Sequence, residues 1–210
     1  MILVGQYDSP FVRRVAVALK TYGLAYQHKP WSTFADADKI AKFNPLRRVP
    51  TLVMNDHTVF SDSAVILAVI DERVGPEHAT LARRGQDGRD LLRITAYATG
   101  AADKAVSLVY EQVLRHAVLP LWVERCRLQI AETLDLLEAE RQLRPTTWLF
   151  DDELSHADVM LCAMTTFIAE ALEGEFDWSR WPALSAHAKA CEERAAFQEA
   201  YQRFAKPSEN

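Results

Sequence analysis

Ser9 places a hydroxyl where a short apolar run gives way to a helix. The run is Ile2-Leu3-Val4, closed by Gly5. Pro10 then opens a stretch in which Phe11, Val15, Ala18, Leu19 and Tyr22 recur at helical spacing, and Gly23 ends it. A side chain at such a junction lies beside unpaired backbone N–H groups and the positive end of a helix dipole, a place that stabilises an anion. The same residue is also an ordinary helix N-cap with Pro at the first helical position. The segment Asn44-Pro45-Leu46-Arg47-Arg48-Val49-Pro50-Thr51-Leu52 carries a second feature. Pro50 enters a strand, cannot donate to its ladder and restricts Val49. With a cis Val49–Pro50 bond, the Val49 backbone turns outward and is free to pair with an extended, peptide-like ligand. The third feature is Phe60-Ser61-Asp62-Ser63-Ala64. Ser63 and the first helical amides suit a carboxylate and Asp62 suits an ammonium, so the pair fits an α-amino acid head group. An Asp in a first turn also stabilises a helix with no ligand at all.

Other chemistries find no residues. The six histidines are scattered, with no H-x-x-x-H or H-E-x-x-H, so no metal site is expected. Gly85 and Gly88 do not follow a strand and make no phosphate loop, and there is no G-x-S-x-G elbow. Cys126, Cys162 and Cys191 are far apart and odd in number, which fits reduced thiols in a cytoplasmic protein. Cys162 lies in an apolar run and is expected in a core rather than as a nucleophile. The N-terminus lacks the basic start and long apolar run of a signal peptide. No apolar stretch approaches the roughly 18–20 residues of a membrane helix. With 24 Lys and Arg against 29 Asp and Glu, the chain has a net charge of −5 and lacks the basic surplus of a general nucleic-acid binder.

The elements that must position these segments divide the 210 residues into two parts. Residues 1–80 carry nine Lys and Arg and eight Asp and Glu, a net of +1, and the remainder carries a net of −6. Gly75-Pro76 followed by the polar stretch Arg83 to Gly88 marks a linker over 76–88. The expected parts are 1–75 and 89–210. The first has the order β-α-β-(loop or helix)-β-β-α. Strands are expected at Ile2–Val4, Leu24–His28, Thr51–Met54 and Thr58–Phe60, the last two as a hairpin around Asn55-Asp56-His57, with a helix from Ala64 to about Glu72. The first two strands should be parallel and the hairpin antiparallel.

The second part is all helical. Leu91, Ile94, Ala98, Ala101, Ala105 and Val109 form one core stripe, and Trp122, Cys126, Ile130, Leu134 and Leu137 form another after Pro120. Ser155-His156-Ala157-Asp158 outlines a capping box before the central apolar run Val159–Ala171, and shorter helices are expected from Pro182 to about Phe204.

The three segments, in this order and spacing and followed by a helical half with an S-x-x-D box, resemble the glutathione S-transferase family along nearly the whole chain. The resemblance implies an α/β thioredoxin-like N-terminal domain and an all-α C-terminal domain. It implies that Ser9 hydrogen-bonds the glutathione sulfur, as in serine-type members. The Val49 backbone, before Pro50, would pair with the cysteinyl part, Asp62 and Ser63 would hold the γ-glutamyl head, and Arg48 would stand near the glycyl carboxylate. Ser155 and Asp158 match a folding box and are not catalytic. Asp62 is one methylene shorter than the commoner Glu. Ser at position 9 speaks against the thiol–disulfide branch, because it cannot form a mixed disulfide with glutathione. Tyr7 is the alternative hydroxyl. Tyr7, Phe11, Val12, Phe34, Tyr97 and Lys104 are the expected walls of an electrophile pocket. The implied activity is glutathione conjugation of a hydrophobic electrophile by a cytoplasmic homodimer, without metal, membrane or nucleic-acid partner. The alternatives are a non-catalytic adaptor of the same fold and a glutathione-dependent isomerase or dehalogenase.

Overall fold

The structure, a computed structural model, describes residues 1–151 and 153–206; the final positions of the expected 89–210 part, 207–210, lie outside the described residues. Four three-residue strands form one mixed sheet in the order β2-β1-β3-β4. Strand β1 (Ile2–Val4) pairs in parallel with β2 (Gln27–Lys29) and antiparallel with β3 (Thr51–Val53), which pairs antiparallel with β4 (Val59–Ser61). Leu3 stands opposite both His28 and Leu52. Strand β2 starts later than the apolar pattern at Leu24 predicts. Leu24 is used instead to close helix α1 (Pro10–Thr21), donating its N–H to Leu19 O at 2.9 Å around Gly23, which has φ 64°.

Helix α1 is buried on nearly every side, more than a single apolar stripe predicts. Helix α3 (Ser63–Val74) and the sheet cover one side, and α6 (His156–Ala171) covers the other. The short α2 (Ala37–Ala41) lies between β2 and β3. The core around Leu3, Val15 and Ile66 runs without a break to Val159, Cys191 and Phe197, so the two halves share it.

Helix α4 (Gly85–Leu114) covers positions 85–88 of the stretch expected as linker. Its stripe from Leu91 to Val109 is buried as the spacing predicts, as are Cys126, Ile130, Leu134 and Leu137 of α5 (Pro120–Gln142); Trp122 is only partly covered. After a 3-10 turn at Trp178–Arg180, α7 (Pro182–Glu192) and α8 (Ala195–Glu199) complete the helical half. Helical structure ends at Glu199 rather than near Phe204, and residues 201–206 carry no regular structure.

Polar clamps fix the halves to each other. The Asp71 carboxylate accepts the Tyr22 hydroxyl at 2.7 Å and faces His156 Nε2 at 2.9 Å, and His156 N donates to Leu81 O at 2.9 Å. The capping box starts the central helix α6. Ser155 N and Oγ both donate to Asp158 Oδ2, at 2.8 and 2.5 Å, and Leu149 N donates to Asp158 Oδ1 at 2.8 Å. Asp158 is fully buried, so its loss strands three donors away from water. Asp158→Ala is expected to lower unfolding stability by roughly 2–4 kcal/mol in denaturant titrations.

Candidate active site

A cleft of about 700 Å³ opens between the first half and α4, well within the range of small-molecule sites. Ser9, Phe11, the loop 30–36 and residues 47–49 form one wall; Val106, Val109 and Tyr110 of α4 with Phe167 of α6 form the other. Ser9 is the N-cap of α1. Its Oγ accepts the Val12 N–H at 3.4 Å, which leaves its own O–H free to donate. Beside it, Val49 lines the cleft with a cis peptide bond to Pro50. Neither the N–H nor the C=O of Val49 has a hydrogen-bond partner among the described residues.

Gly5 and Asn44 hold Val49 in place, and neither role was foreseen from sequence. Gly5 has φ 128°, and a Cβ there would lie 2.5 Å from Val12 Cγ2 and 2.8 Å from Val49 Cβ. Only glycine lets the end of β1 pass this close to both. Asn44 is buried, and its Nδ2 lies within hydrogen-bond distance of Arg48 O at 3.1 Å, Thr51 Oγ1 at 3.0 Å and Ser61 Oγ at 2.9 Å. Its Oδ1 accepts Leu46 N at 3.0 Å. The loop is thus braced against both β3 and β4. The Asn-Pro pair signalled a turn, but the reach of its amide to Thr51 and to Ser61, 17 positions away, depends on how the hairpin packs beside it.

The charged groups are arranged unevenly. Arg47 is spent on Asp38 at 2.7 Å, while Arg48 is exposed in the cleft wall and makes no ion pair among the described residues. Burial pushes the Asp8 carboxyl up from its ordinary value, with backbone N–H groups of Ala205 and Ser9 opposing that shift. Asp62 caps α3, accepting Ala64 N at 2.7 Å from a backbone at φ 71° that side chains rarely adopt. It is exposed, and Ser63 behind it is buried. Burial holds the Arg14 guanidinium down at about 10, and the Asp62 charge acts against that shift.

The cleft gathers Ser9, Arg48, Val49, Phe11 and Phe34 from the expected set. Asp62, Ser63 and Pro50 are not among the residues that line it. Nor do four of the expected walls line it. Tyr7 turns its hydroxyl to Tyr26 at 2.7 Å and stacks on His28, with ring centroids 3.9 Å apart. Val12, on α1, is wholly buried in the core. Lys104 lies over the Trp122 ring at 5.5 Å, and Tyr97 is on another face of α4. Successive residues turn about 100° around a helix axis, so Asp103, Val106 and Tyr110 face the cleft while Lys104 and Tyr97 do not. The aromatic walls missed from sequence are Trp31, Tyr110, Phe167 and Phe204, and Phe34 meets Tyr110 edge-on across the opening at 5.2 Å.

The family profile described as glutathione S-transferase, N-terminal domain, matches residues 3–78, and that for the glutathione S-transferase C-terminal domain matches residues 120–190. The uncharacterized GST-like protein YibF of Escherichia coli is 34% identical over 66% of this chain and 68% of its own length. The chain belongs to the glutathione S-transferase family. A probable glutathione S-transferase of Glycine max is 38% identical, but the match spans 33% of this chain and 31% of the soybean protein. In fold, the chain is similar to a glutathione S-transferase from Methylobacterium radiotolerans in complex with glutathione sulfonate. The TM-score is 0.88 at 22% identity, covering 100% of this chain and 98% of that one. A second family structure, from Methylobacillus flagellatus with glutathione bound, gives 0.85 at 24% identity over 95% and 98%. These glutathione S-transferases share the small mixed sheet and the helical half.

Asn44→Ala is expected to lower stability by roughly 1–3 kcal/mol. Hydrogen exchange should show faster amide exchange concentrated in residues 46–52.

Proposed function

We propose that this protein binds glutathione and activates its thiol as a thiolate that attacks a hydrophobic electrophile. The observation that carries this reading is the juxtaposition, in one cleft, of the free Ser9 O–H at the start of α1 with the unpartnered backbone of Val49. A γ-glutamyl tripeptide has an extended backbone to pair with Val49 and a sulfur to meet Ser9. The family relatives of like fold that carry glutathione or its sulfonate support the choice of ligand. In this reading Arg48 receives the glycyl carboxylate, and Asp62 and Ser63 receive the γ-glutamyl ammonium and carboxylate. The first part, 1–75, holds glutathione, and the helical part, 89–210, supplies most of the electrophile's surroundings.

An ordinary thiol has a pKa of about 8.5, so free glutathione is mostly protonated near neutrality. The Ser9 hydrogen bond and the α1 dipole favour the thiolate. A shift of about 1–2 units corresponds to roughly 1.4–2.7 kcal/mol. The thiol proton leaves to solvent. The sulfur lone pair then forms a bond to an electrophilic carbon as a leaving group departs with its bonding pair. The aromatic half of the cleft, with Phe11, Tyr110 and Phe167, suits a planar apolar electrophile. Tyr7 is excluded as the donor in this scheme because its hydroxyl is bound to Tyr26 away from the cleft. A cytoplasmic homodimer is the form in which we expect the protein to act.

Ser9→Ala is expected to lower kcat/KM for conjugation of 1-chloro-2,4-dinitrobenzene by about 10–100-fold, the equivalent of losing ~1–2 units of thiol activation. The circular-dichroism spectrum should not change. Undiminished turnover in this variant would remove Ser9 as the activating group.

A further inference from the structure

Residues 201–206, beyond α8, cross the start of α1 as a strap without regular structure. Gln202 and Phe204 are half-buried while Tyr201 and Arg203 are exposed. The strap is fastened along its length. The buried Arg13 donates through Nε to Ala200 O at 3.1 Å and through Nη2 to Phe197 O at 3.3 Å, and it pairs with Glu192 at 2.5 Å. Tyr7 N donates to Gln202 Oε1 at 3.3 Å. Glu170, near the end of α6, uses one carboxylate oxygen for each of two strap residues. Oε1 accepts the Tyr201 hydroxyl at 2.8 Å and Oε2 accepts Phe204 N at 2.9 Å. The Phe204 ring then meets Phe167 edge-on, with centroids 5.6 Å apart and planes at 87°. Phe204 and Ala205 line the cleft beside Asp8, Ser9 and Phe11.

We infer that Phe204 is the specificity-determining side chain of this cleft, a wall that limits the size of the apolar group carried on the sulfur, and that Glu170 is the positioning residue that holds it there. The inference rests on the glutathione reading above. Among the apolar walls, Phe11, Val106 and Phe167 stand on helices and cannot yield without repacking the core. Phe204 packs against that core too, but like Trp31 and Phe34 of the loop 30–36 it stands on a segment without regular structure, and of these three it is the one whose backbone N–H is held by a carboxylate from another element. Shortening its side chain enlarges the cleft, and enlarging it narrows the cleft, with the glutathione contacts at Val49 and Arg48 untouched.

The test is competition binding of glutathione, S-benzylglutathione and S-tritylglutathione to the full chain. Phe204→Ala should raise the affinity for the trityl relative to the benzyl derivative by about fivefold or more, and Phe204→Trp should lower it. Glutathione itself should bind all three forms within about twofold, a change that would correspond to a small fraction of one tenfold step in affinity. Glu170→Ala should shift the ratio as Phe204→Ala does. Glu170→Gln, which keeps one acceptor oxygen, should fall between it and the wild type. If glutathione binds but the ratio is unmoved by both Phe204 substitutions, the inference is overturned and the functional reading stands. If the wild-type chain does not bind glutathione, the functional reading itself fails and this inference falls with it.

Discussion

The burial of helix α1 on both sides is the constraint on which the rest depends. One side is taken by the sheet and α3, the other by α6, and nine of its twelve residues are buried. A helix held this way cannot move its N-terminus, so Ser9 and the Phe11 N–H, the first-turn amide without a partner among the described residues, are fixed in space. Two arginines within this helix are themselves buried and tie it outward. Arg13 reaches Glu192 and the carbonyls of Phe197 and Ala200 in and just after α8, and Arg14 reaches Thr99 of α4 at 3.2 Å. The helix that presents the hydroxyl is therefore also the joint between the two halves. A cleft formed across that joint keeps its dimensions because the joint does not slide.

The loop beside Ser9 on the same wall of the cleft is adjusted to α1 at close range. Gly5 lets β1 end against Val12 and Val49 together, and Asn44 ties the Val49 loop to β3 and β4. The backbone of Val49 can remain unpaired because its neighbours are satisfied elsewhere: Arg48 O accepts from Asn44 and Thr51. An unpaired backbone pair facing a cleft is a poor way to end a strand and a good way to receive a peptide. Preorganisation of this kind lets binding free energy go into orienting the sulfur rather than into ordering the loop.

Local signals were legible in the sequence. Ser9-Pro10 begins a helix, Ser155 and Asp158 form a capping box, and the Leu91–Val109 stripe is buried, because each depends on neighbours within one or two helical turns. The Asn55–His57 turn joins its hairpin for the same reason. What depended on long-range geometry was not legible. Helical phase decided that Tyr110 rather than Lys104 faces the cleft. Tyr7 was drawn off by Tyr26 and His28, partners supplied by β2 and the segment before it. The start of β2 was displaced because Leu24 closes α1. Phe204 could not be found from any motif, since its place is set by Glu170, 34 positions away.

The central claim is that Ser9 and the start of α1 favour the ionised sulfur of bound glutathione. The most direct measurement follows the ultraviolet absorbance of the thiolate against pH, with glutathione bound to the wild-type chain and to Ser9→Ala. The account predicts a midpoint at least about one unit below the ~8.5 of a free thiol, returning most of the way in the variant. A midpoint at the free value in the wild type, or one lowered equally in both, would contradict it.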